Sequence, residues 1–319
     1  MMRDKKKQLA RQIIYLLPND QKPVQYLIDT LGIVKESAYR RLRGEVSFSF
    51  EEIVTLSKVL GFSIDELVNE TSTHHALFNL SANTTNTQEE VFINMLLILA
   101  DATKTRINMS NQVIYISLNK IYPFFFTKHQ NMLKFFYFEY LHQIMDISTY
   151  YHFCDTVVPP RVIELCNSIS YETIKQSDFT IVISNNLFIN TMQKIQYYYH
   201  CNLITDQEMG DIREDLLAIL DEMEADTHAG VTASGGKFDV YISPFNVAQS
   251  SINISYENRT KSFFYVDPIN MMSTSNPELC AVHRRWFDSL KRYATYISSS
   301  NQAMRSDFFG KQRKYIGSY

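Results

Sequence analysis

In the first 70 residues, apolar positions recur with the period of a helix, in short stretches separated by a few residues that favour turns. Five helices are predicted, at residues 8–17, 23–31, 34–43, 49–60 and 63–68. Helices this short are not stable alone, so they are expected to pack on one another through their apolar stripes. The pattern therefore predicts a small all-α domain at the N-terminus.

A polar stretch without apolar periodicity follows these helices. Small and polar side chains dominate residues 71–75 and 81–87, which is typical of a linker. We therefore predict an N-terminal domain at 1–70, a linker at 71–90 and a C-terminal domain at 91–319.

The C-terminal domain is predicted to be helix-rich. No glycine occurs between Gly61 and Gly210, so the residue that most often ends helices is missing from the central stretch. A strand is predicted at 113–118, and strands at 238–242, 252–256 and 262–266 are expected to form a short antiparallel meander. Helices are expected at 91–103, 132–144 and about 160–176, 187–201 and 207–225.

A long amphipathic helix is predicted after Asn276, which is a capping residue followed by proline in the first turn. Residues 298–301 then cap a last helix. Together these elements predict an α+β fold with a small antiparallel sheet. The apolar stripe on which this long helix is expected to pack consists of Leu279, Val282, Trp286, Leu290, Tyr293 and Ile297.

Composition adds three expectations. The chain of 319 residues is 45% hydrophobic, with no run of 18 apolar residues, which argues against a membrane span. The apolar part after Lys5–Lys7 is too short for a signal peptide, so we expect a cytoplasmic protein. The four cysteines lack CxxC spacing and are expected to be reduced.

Charge is distributed unevenly along the chain. Residues 1–43 carry ten Lys and Arg against four Asp and Glu, a net charge of +6, and residues 283–319 also carry +6. Residues 205–227 carry −8, which we interpret as the solvated face of a helix. The basic N-terminus is suited to contact phosphate groups.

The second and third predicted helices are separated only by Gly32 and Ile33, the spacing of a helix-turn-helix. Such a unit places its second helix in the major groove of double-stranded DNA, where Arg and Lys donate to guanine or phosphate and Glu accepts from cytosine. Ala38 and Leu42 are expected to face inward. The predicted DNA-binding residues are Lys22, Lys35, Glu36, Ser37, Tyr39, Arg40 and Arg43.

Three segments of this region resemble a known family. Residues 27–33 (LIDTLGI), 37–44 (SAYRRLRG) and 49–67 (SFEEIVTLSKVLGFSIDEL) are similar to the DNA-binding domain of Cro/CI phage repressors, the Xre-like family. The resemblance implies a five-helix lambda-repressor-like domain that binds operator DNA as a dimer with its third helix in the major groove. Ile28 stands where the family usually has Ala, and Arg41 where it usually has a core aliphatic residue.

Two functions from different classes remain open. The first is a transcriptional regulator that binds DNA as a homodimer, with a C-terminal domain for oligomerisation or for sensing a small-molecule or peptide effector. The second is a protein- or peptide-binding module with a vestigial helix-turn-helix. An enzyme is not predicted, because G-x-S-x-G, H-E-x-x-H and G-x-G-x-x-G are all missing from the sequence.

Other motifs are weaker, and no catalytic residue, metal or cofactor is predicted. Residues 230–238 resemble a phosphate-binding loop, but Lys237 is one position late and Phe238 replaces the Ser or Thr that would hold Mg²⁺. Histidines and cysteines at 152–154, 166 and 200–201 match no zinc spacing. The aromatic clusters at 122–126 and 197–199 suit either a core or a pocket for an apolar ligand or peptide.

Overall fold

The computed structural model of the chain divides into two compact units. Unit 1 spans Met1–Leu77 and unit 2 spans Phe78–Tyr319. The boundary falls inside the stretch predicted to be a linker. The structure describes residues 2–17, 21–60, 62, 76–80, 87–104, 112–144, 147–169, 177–232, 235–245, 247, 250–256, 259–266 and 270–318.

Unit 1 has four helices within its described residues: α1 (Met2–Leu16), α2 (Pro23–Leu31), α3 (Lys35–Leu42) and α4 (Phe50–Leu60). Each buries one apolar side, as their periodicity predicts. The resulting core consists of Leu9, Ile13, Leu27, Ala38, Phe48, Leu56 and Phe62.

The prediction of an all-α five-helix domain is therefore not correct as stated. Four of the predicted helices are present, but the fifth, predicted at 63–68, lies outside the described residues. The first helix also begins at Met2 rather than residue 8, so Lys5–Lys7 are helical.

An eight-stranded sheet forms the centre of unit 2. β2, β3 and β4 pair in parallel, and the remaining neighbours pair antiparallel, in the order β1-β7-β6-β5-β2-β3-β4-β8. The strands are β1 (Asn79–Leu80), β2 (Val113–Leu118), β3 (Asp178–Ser184), β4 (Phe238–Ser243), β5 (Ser251–Tyr256), β6 (Arg259–Tyr265), β7 (Met271–Thr274) and β8 (Thr295–Tyr296).

Helices connect and cover these strands. No helix among the described residues is long and apolar enough to cross a membrane. Within the described residues, the helices of unit 2 are α5 (Gln88–Lys104), α6 (Pro123–Phe126), α7 (Gln130–Ile144), α8 (Pro160–Ser168), α9 (Leu187–His200), α10 (Asp206–Ala229), α11 (Pro277–Tyr293) and α12 (Gln302–Gly317), with a short 3₁₀ turn at Phe153–Asp155.

The two faces of the sheet are covered differently. On one face, alternate residues such as Ile114 and Ile181 join one large core with α5, α7, α9, α10 and α12. On the other face, Tyr115 and Val182 pack against Phe287 of α11. Residues of a strand alternate between faces, so the parallel strands are buried on both.

The prediction of a helix-rich α+β domain with a small antiparallel sheet is wrong. β3 was not predicted, because all but the first of its residues are buried and it lacks the alternation of a half-exposed strand. The segment 238–242 was assigned to an antiparallel meander, whereas β4 pairs in parallel with β3. Parallel pairing depends on distant crossovers that local pattern does not reveal.

The long helix α11 begins as predicted, with the Asn276 Oδ1 atom accepting a hydrogen bond from Leu279 N at 3.0 Å. Its predicted apolar stripe packs on the sheet only in part: Leu290 packs against the cluster of Tyr115, Val182 and Phe287, and Ile297, just after the helix, is fully buried. The buried residues of α11 are Cys280, His283 and Phe287. Val282, Trp286 and Tyr293 are 50%, 37% and 65% exposed.

A buried polar layer joins α11 to the sheet. His283 contacts the hydroxyls of Ser262 through Nδ1 and of Ser251 through Nε2, both at 3.0 Å. Ser251 in turn lies 2.9 Å from the Ser117 hydroxyl. All four side chains are buried. Because these groups satisfy one another, a polar layer is tolerated where the core would otherwise be apolar.

This layer predicts a pH dependence of stability. Burial lowers the pKa of His283 from 6.5 to about 4. Between these pH values the unfolded chain binds a proton at this position that the folded chain does not. The free energy of unfolding should therefore fall by about 3 kcal/mol from this group as the pH is lowered from about 6.5 to 4.

Denaturant titration of the full chain at several pH values measures this effect. His283→Gln should have a shallower pH dependence than the unsubstituted protein over this range. The same substitution at His152, which is exposed, should leave the dependence unchanged. If the His283→Gln protein and the unsubstituted protein have the same pH dependence of stability, His283 is not its cause.

Candidate nucleic-acid interface

The α2-turn-α3 segment is held by a left-handed glycine and a small buried contact. Gly32 ends α2 with φ +65°, and its N–H donates to Ile28 O at 2.9 Å. Glycine adopts this backbone conformation without strain. Leu27 and Ala38 are fully buried in the core between the two helices. Because the side chain of Ala38 is only a methyl group, α3 can approach α2 closely.

Burial of Ala38 turns the opposite side of α3 outward. Ser37 is half-buried, and its Oγ atom accepts a hydrogen bond from the Arg41 guanidinium. Lys22 is exposed and lies at the N-cap of α2 rather than on α3. The predicted DNA-binding residues that are exposed on or just after α3 are Lys35, Glu36, Tyr39, Arg40 and Arg43.

Arg41 has a structural role in unit 1. Its guanidinium donates to both carboxylate oxygens of Glu52, from Nε at 3.0 Å and from Nη2 at 2.8 Å. Both side chains are mostly buried, at 14% and 16% exposure. Glu52 also accepts from Ser49 N, and Ser49 Oγ accepts from Glu52 N, which together form a capping box at α4. Arg41 therefore ties α3 to the start of α4.

Glu45 modifies the exposed basic face and was not identified from the sequence. Its carboxylate lies 3.8 Å from the guanidinium groups of both Arg40 and Arg43. The Arg43 guanidinium also lies 5.9 Å from the centre of the Tyr39 ring. The signal available in the sequence was the position of the acid, two residues after Arg43.

The basic surface continues from α3 onto α1. Gly44 has φ +71° and is buried, and a Cβ atom there would lie 2.7 Å from Lys7 Cγ. This close approach brings α1 against the end of α3. Lys7 and Arg11 are both exposed on α1. The N-terminal lysines thus belong to a helix adjoining the candidate reading helix.

The described part of unit 2 includes two open cavities that bear on function. The first, of about 470 Å³, lies between α10 and α12 and is lined by Asp221, Glu224, His228, Gln302 and Arg305. Arg305 donates to Ile297 O and contacts His228 Nδ1, so its guanidinium is held by protein atoms.

The second cavity, of about 360 Å³, lies between α7 and α9. An ion pair between the buried Glu139 and the partly exposed Lys194, at 2.5 Å, adjoins it. Burial, together with the Glu139 charge, raises the pKa of Tyr198 to about 12, so this phenol stays protonated at neutral pH. The lining consists of Gln143, Asn190, Gln193, Lys194, Tyr197 and Tyr198.

The structure describes parts of the weaker motifs, and the residues in these parts have structural roles. Gly230 caps α10, and Thr232 N donates to Gly236 O at 2.7 Å in a tight loop leading into β4; residues 233–234 of this loop lie outside the described residues. The described part of the chain brings no three His, Cys, Asp or Glu side chains together as a metal site. Tyr122 and Phe126 lie in the core, whereas Tyr197 is 63% exposed beside the second cavity.

Comparison of the chain with protein-family models, with curated proteins and with solved structures finds no match. Function is therefore inferred from the geometry of unit 1 and from the chemistry of its exposed residues.

The Arg41–Glu52 pair predicts a measurable coupling within unit 1. Removing either partner leaves a mostly buried charge without its counter-ion, which should cost about 2 kcal/mol of local stability. The protection of the α3 and α4 amides against hydrogen exchange should therefore be about 30-fold lower in the full chain with Arg41→Ala than in the unsubstituted protein.

A double-mutant cycle separates the pair from the individual side chains. Arg41→Ala, Glu52→Ala and the double variant should show a coupling of about 1 to 3 kcal/mol. The exposed pair Arg161–Glu164 on α8 is a matched control and should show little coupling. Additive effects of the Arg41 and Glu52 substitutions would show that the ion pair does not hold α3 to α4.

Proposed function

We propose that the protein is a sequence-specific DNA-binding transcriptional regulator, and that α3 of unit 1 reads the major groove as part of a homodimer. The observation that carries this proposal is the exposed face of α3. Three basic side chains, an acid and a tyrosine project from a short helix that a tight turn holds against α2. This arrangement resembles the reading head of the Cro/CI repressors.

The exposed residues offer several kinds of contact with DNA. Arg40 and Arg43 can donate two parallel hydrogen bonds to guanine or contact phosphates, and Lys35 can contact either. Glu36 can accept from the amino group of cytosine. Tyr39 offers a hydroxyl for phosphate or base edges. Ser37 is a weaker candidate than the others, because its hydroxyl already accepts from Arg41.

Two copies would be needed for useful affinity. A single α3 of eight residues provides few base and phosphate contacts. Regulators of this type join two heads, so that their reading helices meet half-sites about one turn of DNA apart. Unit 2 is the proposed means of joining them, and the cavity between α7 and α9 is the proposed place for an effector.

The basic face predicts a salt dependence of binding. Each phosphate contact that is lost should make the slope of log K against log salt concentration shallower by about 0.9. The double variant Lys35→Ala/Arg40→Ala should bind duplex DNA at least about tenfold more weakly, with a slope shallower by about 1 to 2. Fluorescence anisotropy with a labelled duplex over a range of salt concentrations measures both quantities.

Lys58→Ala is the matched control, because Lys58 is an exposed lysine of the same unit in the last turn of α4. It should change neither affinity nor slope appreciably. Equal losses in the control and in the double variant would indicate a general charge effect. An intact chain that does not bind duplex DNA at low salt would favour the protein-interaction module instead.

Removing the Glu45 charge should have the opposite effect. Its carboxylate partly neutralises Arg40 and Arg43 and also repels phosphates that approach them. Because all three side chains are about half exposed or more, the effect is modest, and Glu45→Gln should bind duplex DNA about two- to fivefold more tightly.

The control is Glu164→Gln, which removes the acid of an exposed arginine pair on α8 of unit 2. The same anisotropy assay should detect no change for it. Weaker binding by Glu45→Gln would show that the acid orders the two arginines for DNA rather than screening them.

A further inference from the structure

An apolar side chain is exposed at the start of the candidate reading helix. Val34 is the N-cap residue of α3 and is 72% exposed, more than any other large apolar side chain described in unit 1. Ile33, the residue before it, packs against the core of unit 1, and Val34 does not belong to that core. The turn between α2 and α3 therefore buries one β-branched residue and presents the next one to solvent.

Val34 occupies a position where a polar residue would stabilise the helix. Its backbone is that of a regular N-cap, since its carbonyl accepts from Ala38 N at 3.1 Å. An N-cap is normally Ser, Thr, Asp or Asn, whose side-chain oxygen accepts from the first turn of the helix. Valine has no such oxygen, and no side chain of the described residues caps α3. By contrast, α4 and α10 begin with capping boxes at Ser49 and Thr205. A departure from a local rule is expected where a residue serves function.

The surroundings of Val34 at this end of α3 are polar. Lys35 and Glu36, which follow it, are charged and exposed. Phe50 is also exposed, at 70%, but it begins α4, whose first turn meets Arg41. Arg41 lies about 10 Å from Val34 along the helix, so Val34 and Phe50 do not form one apolar patch. A single apolar side chain among charged ones is too small a surface to bind another protein.

The major groove of DNA offers a partner of matching size. Each thymine presents a C5-methyl group there, beside hydrogen-bonding atoms, and apolar side chains recognise thymine through this group. The residues at the N-terminal end of a reading helix are the ones that reach base edges. Because Val34 has two methyl groups and no side-chain donor or acceptor, it cannot bind a phosphate through its side chain. The thymine methyl is the feature of the groove that suits it.

We propose that Val34 contacts the C5-methyl group of one thymine in each half-site and so selects that base. This inference rests on the proposed function, because it requires α3 to lie in the major groove. Lys35 and Glu36 then contact neighbouring groups by hydrogen bonding, while Val34 contributes discrimination that needs no hydrogen bond. The half-site therefore combines polar and apolar recognition at the same end of α3.

Deoxyuridine tests this contact directly, because it differs from thymidine only by the missing methyl group. A site selected from a random duplex library is synthesised with each thymine replaced in turn, and fluorescence anisotropy of the full chain measures the affinity. At one thymine position the replacement should weaken binding about three- to fivefold per half-site, the effect of losing one buried methyl group. Replacement in both half-sites should weaken it about tenfold or more.

Val34→Ala should weaken binding to the thymine site by a similar factor and should no longer distinguish thymine from deoxyuridine at that position. The two changes together should cost little more than either alone, which is the signature of a direct contact. Val59→Ala is the matched control, because Val59 lies in the last turn of α4 and is 61% exposed. It should bind like the unsubstituted protein and keep its sensitivity to deoxyuridine.

Val34→Ser separates recognition from stability. Serine supplies the missing cap of α3, so thermal unfolding of unit 1 should occur at higher temperature. The same variant lacks both methyl groups and should bind the thymine site only as well as the deoxyuridine site. A loss of discrimination that accompanies a gain in stability cannot result from unfolding.

The outcomes distinguish this contact from the proposed function. If the chain selects a site but no thymine in it is sensitive to deoxyuridine, or if Val34→Ala keeps the sensitivity, the Val34 contact is overturned and the regulator stands. If the chain selects no site, the regulator and the contact are both overturned. Sensitivity at one thymine per half-site that disappears in Val34→Ala and Val34→Ser, but not in Val59→Ala, supports the contact.

Discussion

The burial of Ala38 in the space beside Leu27 is the contact on which the candidate reading surface depends. It sets the distance between α2 and α3, and it determines which residues of α3 face outward. A side chain larger than a methyl group would push α3 away from α2. Gly32 makes the same arrangement possible from the backbone, because the turn needs a positive φ. Ala38 and Gly32 therefore together determine that the Lys, Arg, Glu and Tyr side chains on the outward side of α3 are exposed.

Each unit holds one helix in place with polar contacts inside a mainly apolar core. In unit 1 the Arg41–Glu52 pair fastens α3 to α4, and in unit 2 His283 and its serine partners fasten α11 to the sheet. Such contacts are specific in direction, so they fix the rotation of a helix about its own axis more closely than apolar packing does. In unit 1 this leaves outward the side of α3 that is proposed to contact DNA.

Local pattern was sufficient for the parts of the structure that are determined locally. The turn at Gly32, the cap at Asn276 and the strand at 113–118 are all short-range features, and each lies where it was predicted. The sheet was not predictable in the same way, because the parallel pairing of β2, β3 and β4 joins strands about 60 residues apart. The Arg41–Glu52 pair was missed for a related reason, since the two residues become neighbours only after the chain turns from α3 into α4. Glu45 is different, because its partners Arg40 and Arg43 are close in sequence and the acid itself was the available signal.

Selection of bound sequences from a random duplex library by the full chain tests whether α3 reads DNA sequence in two paired copies. If it does, the unsubstituted protein should enrich a two-fold symmetric site with half-sites about 10 base pairs apart, and Lys35→Ala/Arg40→Ala should lose that enrichment. A library that returns no enriched sequence at moderate salt, or the same sequences for both proteins, would contradict this role of α3.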